Sequence, residues 1–213
     1  AQGLKVFVTT STHMYIEEDT LVTDNADEII AKLNADGYAM AGVFEPKDTR
    51  KIKSLSQNTY NKVCKAADIV LVEADGSRHM PLKHPKSTEP VIPENADEII
   101  LVCGLNALGQ RARDVCHRLE LVKACLGIDE DTIITPAHVR KLILEGYLKP
   151  LREQYPHKKI RVSPRHDGTL YQRTIASLLK QGQDVSLIRE EWFCPQPQLI
   201  LCGGGHVSRE VAA

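Results

Sequence analysis

Residues 67–78 read ADIVLVEADGSR, and residues 73–93 continue as EADGSRHMPLKHPKSTEPVIP. The apolar, β-branched run Ile69-Val70-Leu71-Val72 has no helical period, so it reads as a strand buried on both faces of a parallel sheet. In open α/β sheets ligands gather beyond the carboxyl ends of the strands, which places Glu73, Asp75, Gly76, Ser77 and Arg78 where chemistry is expected. The loop beyond them carries Pro81, Pro85, Pro90 and Pro93, three of which fix the chain beside Lys83, Lys86 and Glu89. A long loop braced in this way and loaded with charge is either a preorganised functional loop or a solvated crossover.

Working outward, the same grammar repeats. Leu4 to Val8 is strand-like and runs into Thr9-Thr10-Ser11-Thr12-His13, whose hydroxyls suit either a phosphate or hydrated Mg2+, or the capping of a turn. Residues 23–37 carry N-cap candidates, an apolar face and a terminal glycine, which predicts a helix. A short strand over 38–44 and a helix over 56–66 lead back to the central strand. Beyond the proline loop come a strand over 96–103, a glycine-bounded rim loop over 104–109, a helix over 114–126 and a helix opened by Thr135-Pro136 and ending at Gly146. Residues 158–163 predict another strand, 164–168 a turn, 169–181 a helix and 185–193 a strand or linker. Alternating strands and helices of this kind build a mainly parallel sheet covered on both faces, a three-layer α/β fold. Near the end, Leu199-Ile200-Leu201 runs into Cys202-Gly203-Gly204-Gly205-His206-Val207-Ser208, the form of a strand entering a phosphate-binding turn. The expected organisation is one domain over 1–194 and the opening of a second over 195–213.

Composition narrows the function classes. With 27 basic against 28 acidic side chains, bulk electrostatics points to no nucleic-acid or acidic-membrane partner. No apolar run approaches the length of a membrane span. The six cysteines are scattered without a Cys-x-x-Cys pair, which suits buried thiols in a reducing cytoplasm and gives no reason to expect a structural zinc site.

Glu73-Ala74-Asp75-Gly76-Ser77-Arg78, with Pro81-Leu82-Lys83, Pro85 and Glu89-Pro90-Val91-Ile92-Pro93, closely resembles the YqeC family, accessory proteins of selenium-dependent molybdenum hydroxylases. The resemblance extends to Val8-Thr9-Thr10-Ser11-Thr12, to Gly104-Leu105 with Leu108-Gly109, to His117-Arg118 and to Ile134-Thr135-Pro136, and covers roughly residues 4–181. The glycine stretch from Cys202 to Ser208 is similar to the start of the Rossmann-like domain of the XdhC family, so the two together imply a fusion of maturation domains.

Members of the YqeC family resemble P-loop nucleoside triphosphatases, but no Gly-x-x-x-x-Gly-Lys-Ser/Thr run occurs in this chain. The resemblance therefore implies a first strand, phosphate loop and helix upstream of Ala1, and a fold lacking that unit. By the same resemblance Asp75 would hold Mg2+ through its water shell, with Thr9, Thr10 or Thr12 touching the ion directly or through water and Thr10 the metal-site residue among them, while Gly76 admits a phosphate. Glu73 would polarise water or pair with Arg78, and Arg78, Lys83, His117 and Arg118 would bind the nucleotide, ATP or GTP, or another anionic ligand. The implied partner is the molybdenum hydroxylase or its cofactor-maturation proteins. Two other readings compete: a nucleotide-independent cofactor carrier or docking module, and a small-molecule kinase or ligase on the same fold.

Overall fold

The computed structural model describes residues 3–165 and 199–202. The first half of the chain forms β1 (Val6–Thr10), β2 (His13–Tyr15), β3 (Thr20–Val22), α1 (Ala26–Asp36), β4 (Tyr38–Phe44), β5 (Lys51–Lys53), α2 (Gln57–Ala66) and β6 (Ile69–Asp75). It continues through β7 (Leu82–Lys83), β8 (Glu98–Gly104), α3 (Ala112–Val115), β9 (Cys116–His117), α4 (Leu119–Leu126) and α5 (Pro136–Ile143). A π-helical turn over Leu144–Leu148 joins α5 to α6 (Lys149–Gln154), and β10 (Lys159–Arg165) and β11 (Leu199–Cys202) complete the described elements.

The main sheet has the order β10-β8-β11-β6-β1-β4-β5-β2, with β3 pairing separately with β4. All pairings from β10 to β4 are parallel, whereas β5 runs antiparallel to both β4 and β2. The chain is thus a mainly parallel α/β protein with an antiparallel hairpin edge. Successive residues of the central strands bury on opposite faces: Phe7, Val70 and Val72 join Ile29 and Leu33 of α1 and Val63 of α2 in one core. Val8, Leu71 and Ile100 face the other way, against Met14 of β2 and Ile52 of β5. Among the described residues no helix joins that second cluster.

The predicted helix α1 forms where its caps dictate. Asn25 Oδ1 accepts from the Asp27 and Glu28 amides, and Gly37 closes the helix at φ 70°, a conformation that favours glycine. Elsewhere the structure departs from expectation. Residues 114–126 do not form one helix: α3 stops at Val115, Cys116–His117 pairs with β7, and Arg118 at φ 61° turns the chain before α4 begins. The spacing of Val115, Leu119, Val122 and Leu126 reads as helical because all four bury in the satellite core or against it, although they come from two elements. The helix opened by Thr135 is also interrupted, ending at Ile143 in the π turn that buries Gly146 and Tyr147. The turn expected over 164–168 begins as strand, since β10 runs on to Arg165. The elements expected over 169–181 and 185–193 lie outside the described residues. So does the domain boundary expected at 195, whereas β11, just after it, lies between β6 and β8.

Candidate functional site

The carboxyl end of β6 delivers two carboxylates two residues apart, and their surroundings differ sharply. Asp75 is fully buried, with Lys83 Nζ on Oδ1 and the Tyr147 hydroxyl donating to Oδ2 at 2.7 Å. Lys83 Nζ also donates to the Gly76 carbonyl at 2.8 Å and lies 3.0 Å from Glu89 Oε2. Arg118 grips Glu89 with both guanidinium branches, Nη2 donating to Oε1 at 2.7 Å and Nη1 to Oε2. A chain of contacts therefore runs Tyr147, Asp75, Lys83, Glu89, Arg118. Buried Asp75 and Lys83 continue into half-buried Glu89 and Arg118, two acids against two bases, and this pairing is what makes their desolvation tolerable. For Glu89, burial favours the neutral form, but hydrogen bonds from Arg118 and Lys83 outweigh it and hold the carboxyl well below the usual range.

The Glu73 carboxyl group, unlike that of Asp75, receives no hydrogen bond from a described side chain. Burial, reinforced by the charge of Asp75 and only partly offset by Lys83, pushes its pKa up to about 7. Gly76 lies close enough that an added Cβ would come 3.0 Å from Glu73 Oε1. His117 moves the other way, to about 4, through burial and the positive charges of Arg118, Lys83 and Arg78, with Glu89 opposing. Its imidazole is neutral at neutral pH.

The hydroxyl segment is largely occupied with local backbone. Thr9 Oγ1 donates to the Ala41 carbonyl at 2.7 Å, and Thr10 Oγ1 donates to the Glu73 carbonyl at 2.8 Å while accepting from the Thr12 amide at 3.0 Å. With the oxygens of Asp75 and Thr10 engaged in this way, the pair does not present a free donor set for Mg2+. Among the described residues no group of three or more His, Cys, Asp and Glu side chains is arranged to hold a metal ion.

A cavity of about 410 Å³ opens between the rim of β6 and the hairpin edge, where β4 turns back into β5 and β2 pairs along β5. Of the residues singled out in the sequence, Thr12, Glu73, Gly76, Arg78, His117 and Arg118 line it, while Thr9, Thr10, Asp75 and Lys83 do not. The opposite wall, missed in the sequence, comes from His13, Tyr15, Glu45, Lys47 and Lys51, and Lys86 joins from the proline loop. His13 Nε2 lies 2.9 Å from Glu45 Oε2, and Lys51 Nζ lies 3.3 Å from Asp48 Oδ2. The Lys47 and Lys86 amides donate to Glu45 Oε1 and Glu89 Oε2, but the charged ends of the Lys47, Arg78 and Lys86 side chains form no ion pair with a carboxylate among the described residues. Three residues at this site, Arg78, His79 and Arg118, hold left-handed backbone at φ 55°, 63° and 61°, a conformation costly for residues other than glycine. Behind the rim, a cavity of about 20 Å³ is lined by Ser77, Lys83 and Tyr147, and the buried Ser77 hydroxyl has no hydrogen-bond partner.

These features define a class: a mainly parallel α/β protein whose strand ends frame a charged, ligand-sized cavity. The chain belongs to the YqeC family, whose sequence profile, described as YqeC protein, matches residues 1–120. A relative from Escherichia coli (strain K12), named as an uncharacterized protein YqeC, is 30% identical over 146 residues, which is 63% of this chain and 55% of that relative. The chain thus spans about half the length of the curated relative it matches. No solved structure matches it. Among the described residues no helix is long and apolar enough to cross a membrane.

Proposed function

We propose that this chain is a P-loop NTPase-like accessory factor for the maturation of selenium-dependent molybdenum hydroxylases in the cytoplasm, and that its rim cavity receives the phosphates of ATP or GTP. The observation that carries this reading is the set of cations facing the cavity without carboxylate partners: Lys47, Arg78 and Lys86. Guanidinium and ammonium groups match phosphate oxygens, and cations left unpaired at a cavity wall are ready to meet them. Arg118 is oriented by Glu89 and lends its charge from the side. Glu73, with a pKa near 7, is placed to accept or return a proton at the same wall. Mg2+ would enter coordinated by the phosphates of the nucleotide, because Asp75 and Thr10 are already engaged.

The same engagement of Asp75 favours a second reading, a nucleotide-independent carrier of an anionic cofactor. Deleting the gene from its source organism separates the proposal from an incidental role. Hydroxylase activity is expected to fall while the hydroxylase polypeptide persists, and to return with the wild-type gene but not with Arg78→Ala/Lys86→Ala. Full hydroxylase activity without the gene would remove the maturation role. Restored activity in a strain whose purified protein binds no nucleotide favours the carrier.

A further inference from the structure

The phosphate-binding rim accounts for one wall of the cavity and leaves the hairpin wall without a task. That wall is not an ordinary solvated edge. Tyr15 and His79 stack with ring centroids 5.1 Å apart and planes inclined by 24°, and both rings line the cavity. Lys51 Nζ lies 4.8 Å from the Tyr15 centroid, so the aromatic shelf is held from the hairpin side as well. Buried Met14 and Met40 supply an apolar floor beside it. His79 reaches Tyr15 from a backbone at φ 63°, directly after Arg78 at φ 55°. Two adjacent left-handed residues are unfavourable unless the surroundings fix them, and conformations of that kind concentrate at ligand sites. The volume of about 410 Å³ lies within the range that encloses a whole small molecule, about 300–1,000 Å³, rather than a phosphate group alone.

We propose that the hairpin wall is a ring-binding subsite, and that the ligand is a phosphate ester of a planar heteroaromatic group whose ring lies against the Tyr15–His79 shelf while its phosphates meet Arg78 and Lys86. This rests on the anionic-ligand reading above and adds the recognition element for the rest of the molecule. The two halves of the site are then built by different parts of the chain. The rim loop after β6 takes the charge, which any polyphosphate satisfies, and the hairpin takes the ring, which distinguishes one ester from another.

The test compares ligands with and without a ring. The whole chain and the variants Tyr15→Leu, Tyr15→Phe and His79→Ala are titrated calorimetrically with Mg·ATP, Mg·GTP and inorganic triphosphate, with circular dichroism confirming that each variant is folded. Tyr15→Leu and His79→Ala are expected to weaken the preferred nucleotide by about tenfold, the loss typical of removing one stacking side chain. Triphosphate affinity is expected to be unchanged by either, and Tyr15→Phe to retain nucleotide affinity. If the two substitutions leave the nucleotide unaffected, or weaken nucleotide and triphosphate alike, the ring subsite is overturned and the anion reading survives. If the wild-type chain binds none of the three at millimolar concentration, the anion reading fails and the subsite fails with it. His79 is exposed, so its variant keeps the test open should Tyr15→Leu not fold.

Discussion

Glu73 and Asp75 leave the same strand two residues apart, yet one carboxyl is saturated with donors and the other has none. Side chains at i and i+2 of a regular strand share a face, but the pairing of β6 with β11 shifts register between Glu73 and Asp75, and the fold brings different neighbours to each. Lys83 and Tyr147 arrive at Asp75 from the proline loop and the π turn. Removing one partner of a buried pair strands the other, so Lys83→Met is expected to cost about 3–5 kcal/mol in urea denaturation. Tyr147→Phe removes the hydrogen bond to Asp75 Oδ2 and is expected to cost about 1.5–3 kcal/mol. Equal, negligible losses in both variants would mean that the network does not support the rim. Glu73 gives a pH signature of known sign. Its folded pKa of about 7 lies above its ordinary value of 4.5, so the folded protein keeps a proton that the unfolded chain releases. That contribution to stability is fully present below the unfolded pKa and is lost as pH rises through about 7. Comparing the unfolding free energies of wild type and Glu73→Gln from pH 4.5 to 8 isolates it, with an expected relative change on the order of 3 kcal/mol. Parallel profiles would place Glu73 in a wetter setting than the one described.

At the scale of elements, the rim is held by close approaches that leave no room for side chains. The Gly104 amide donates to the Pro81 carbonyl at 2.9 Å, and a Cβ on Gly104 would come 2.5 Å from Pro81 Cβ and 2.6 Å from Asn106 Oδ1. Gly104→Ala therefore pushes the loop that carries Lys83 away from the end of β8, with an expected loss of about 1–3 kcal/mol measured by thermal or urea unfolding. An unchanged midpoint would show that the loop moves freely. The same elements explain what could be read in advance. Strands β1, β6 and β8 were legible because both of their faces are buried, so their sequences are continuous apolar runs. Helix α1 was legible through Asn25 and Gly37, residues whose side-chain or backbone chemistry marks a helix end. The β2–β5 pair was not. Its strands are three residues long, and only Met14 and Ile52 are buried in them, between polar neighbours that read as loop. The rim half of the cavity could be placed because it follows β6 directly, whereas the hairpin half arrives by a fold-back that no local pattern announces. At β9 the local pattern misled, since an apolar period of helical length survives across the left-handed turn at Arg118.

At the scale of the whole molecule, charge is nearly balanced at −1, yet it is not evenly paired. Lys51, Lys83 and Arg118, in or behind the cavity wall, are tied to carboxylates, whereas the side chains of Lys47, Arg78 and Lys86 stand apart from that pairing. A site built on such charges is sensitive to ionic strength, so raising salt from about 0.05 M to about 0.5 M is expected to weaken ligand binding, and salt-independent affinity would argue against phosphate recognition. Binding restricted to the native state also stabilises it, by about 2.7 kcal/mol at a ligand concentration of about 100 times Kd, which a thermal melt detects. The most direct single measurement is a calorimetric titration of the chain with Mg·ATP and Mg·GTP beside the double variant Arg78→Ala/Lys86→Ala. The expected result is saturable binding of at least one nucleotide by the wild type and a loss of about tenfold or more in affinity in the variant. Absence of binding to the wild type, or equal affinity in the two proteins, would contradict the assignment of this rim as the phosphate site.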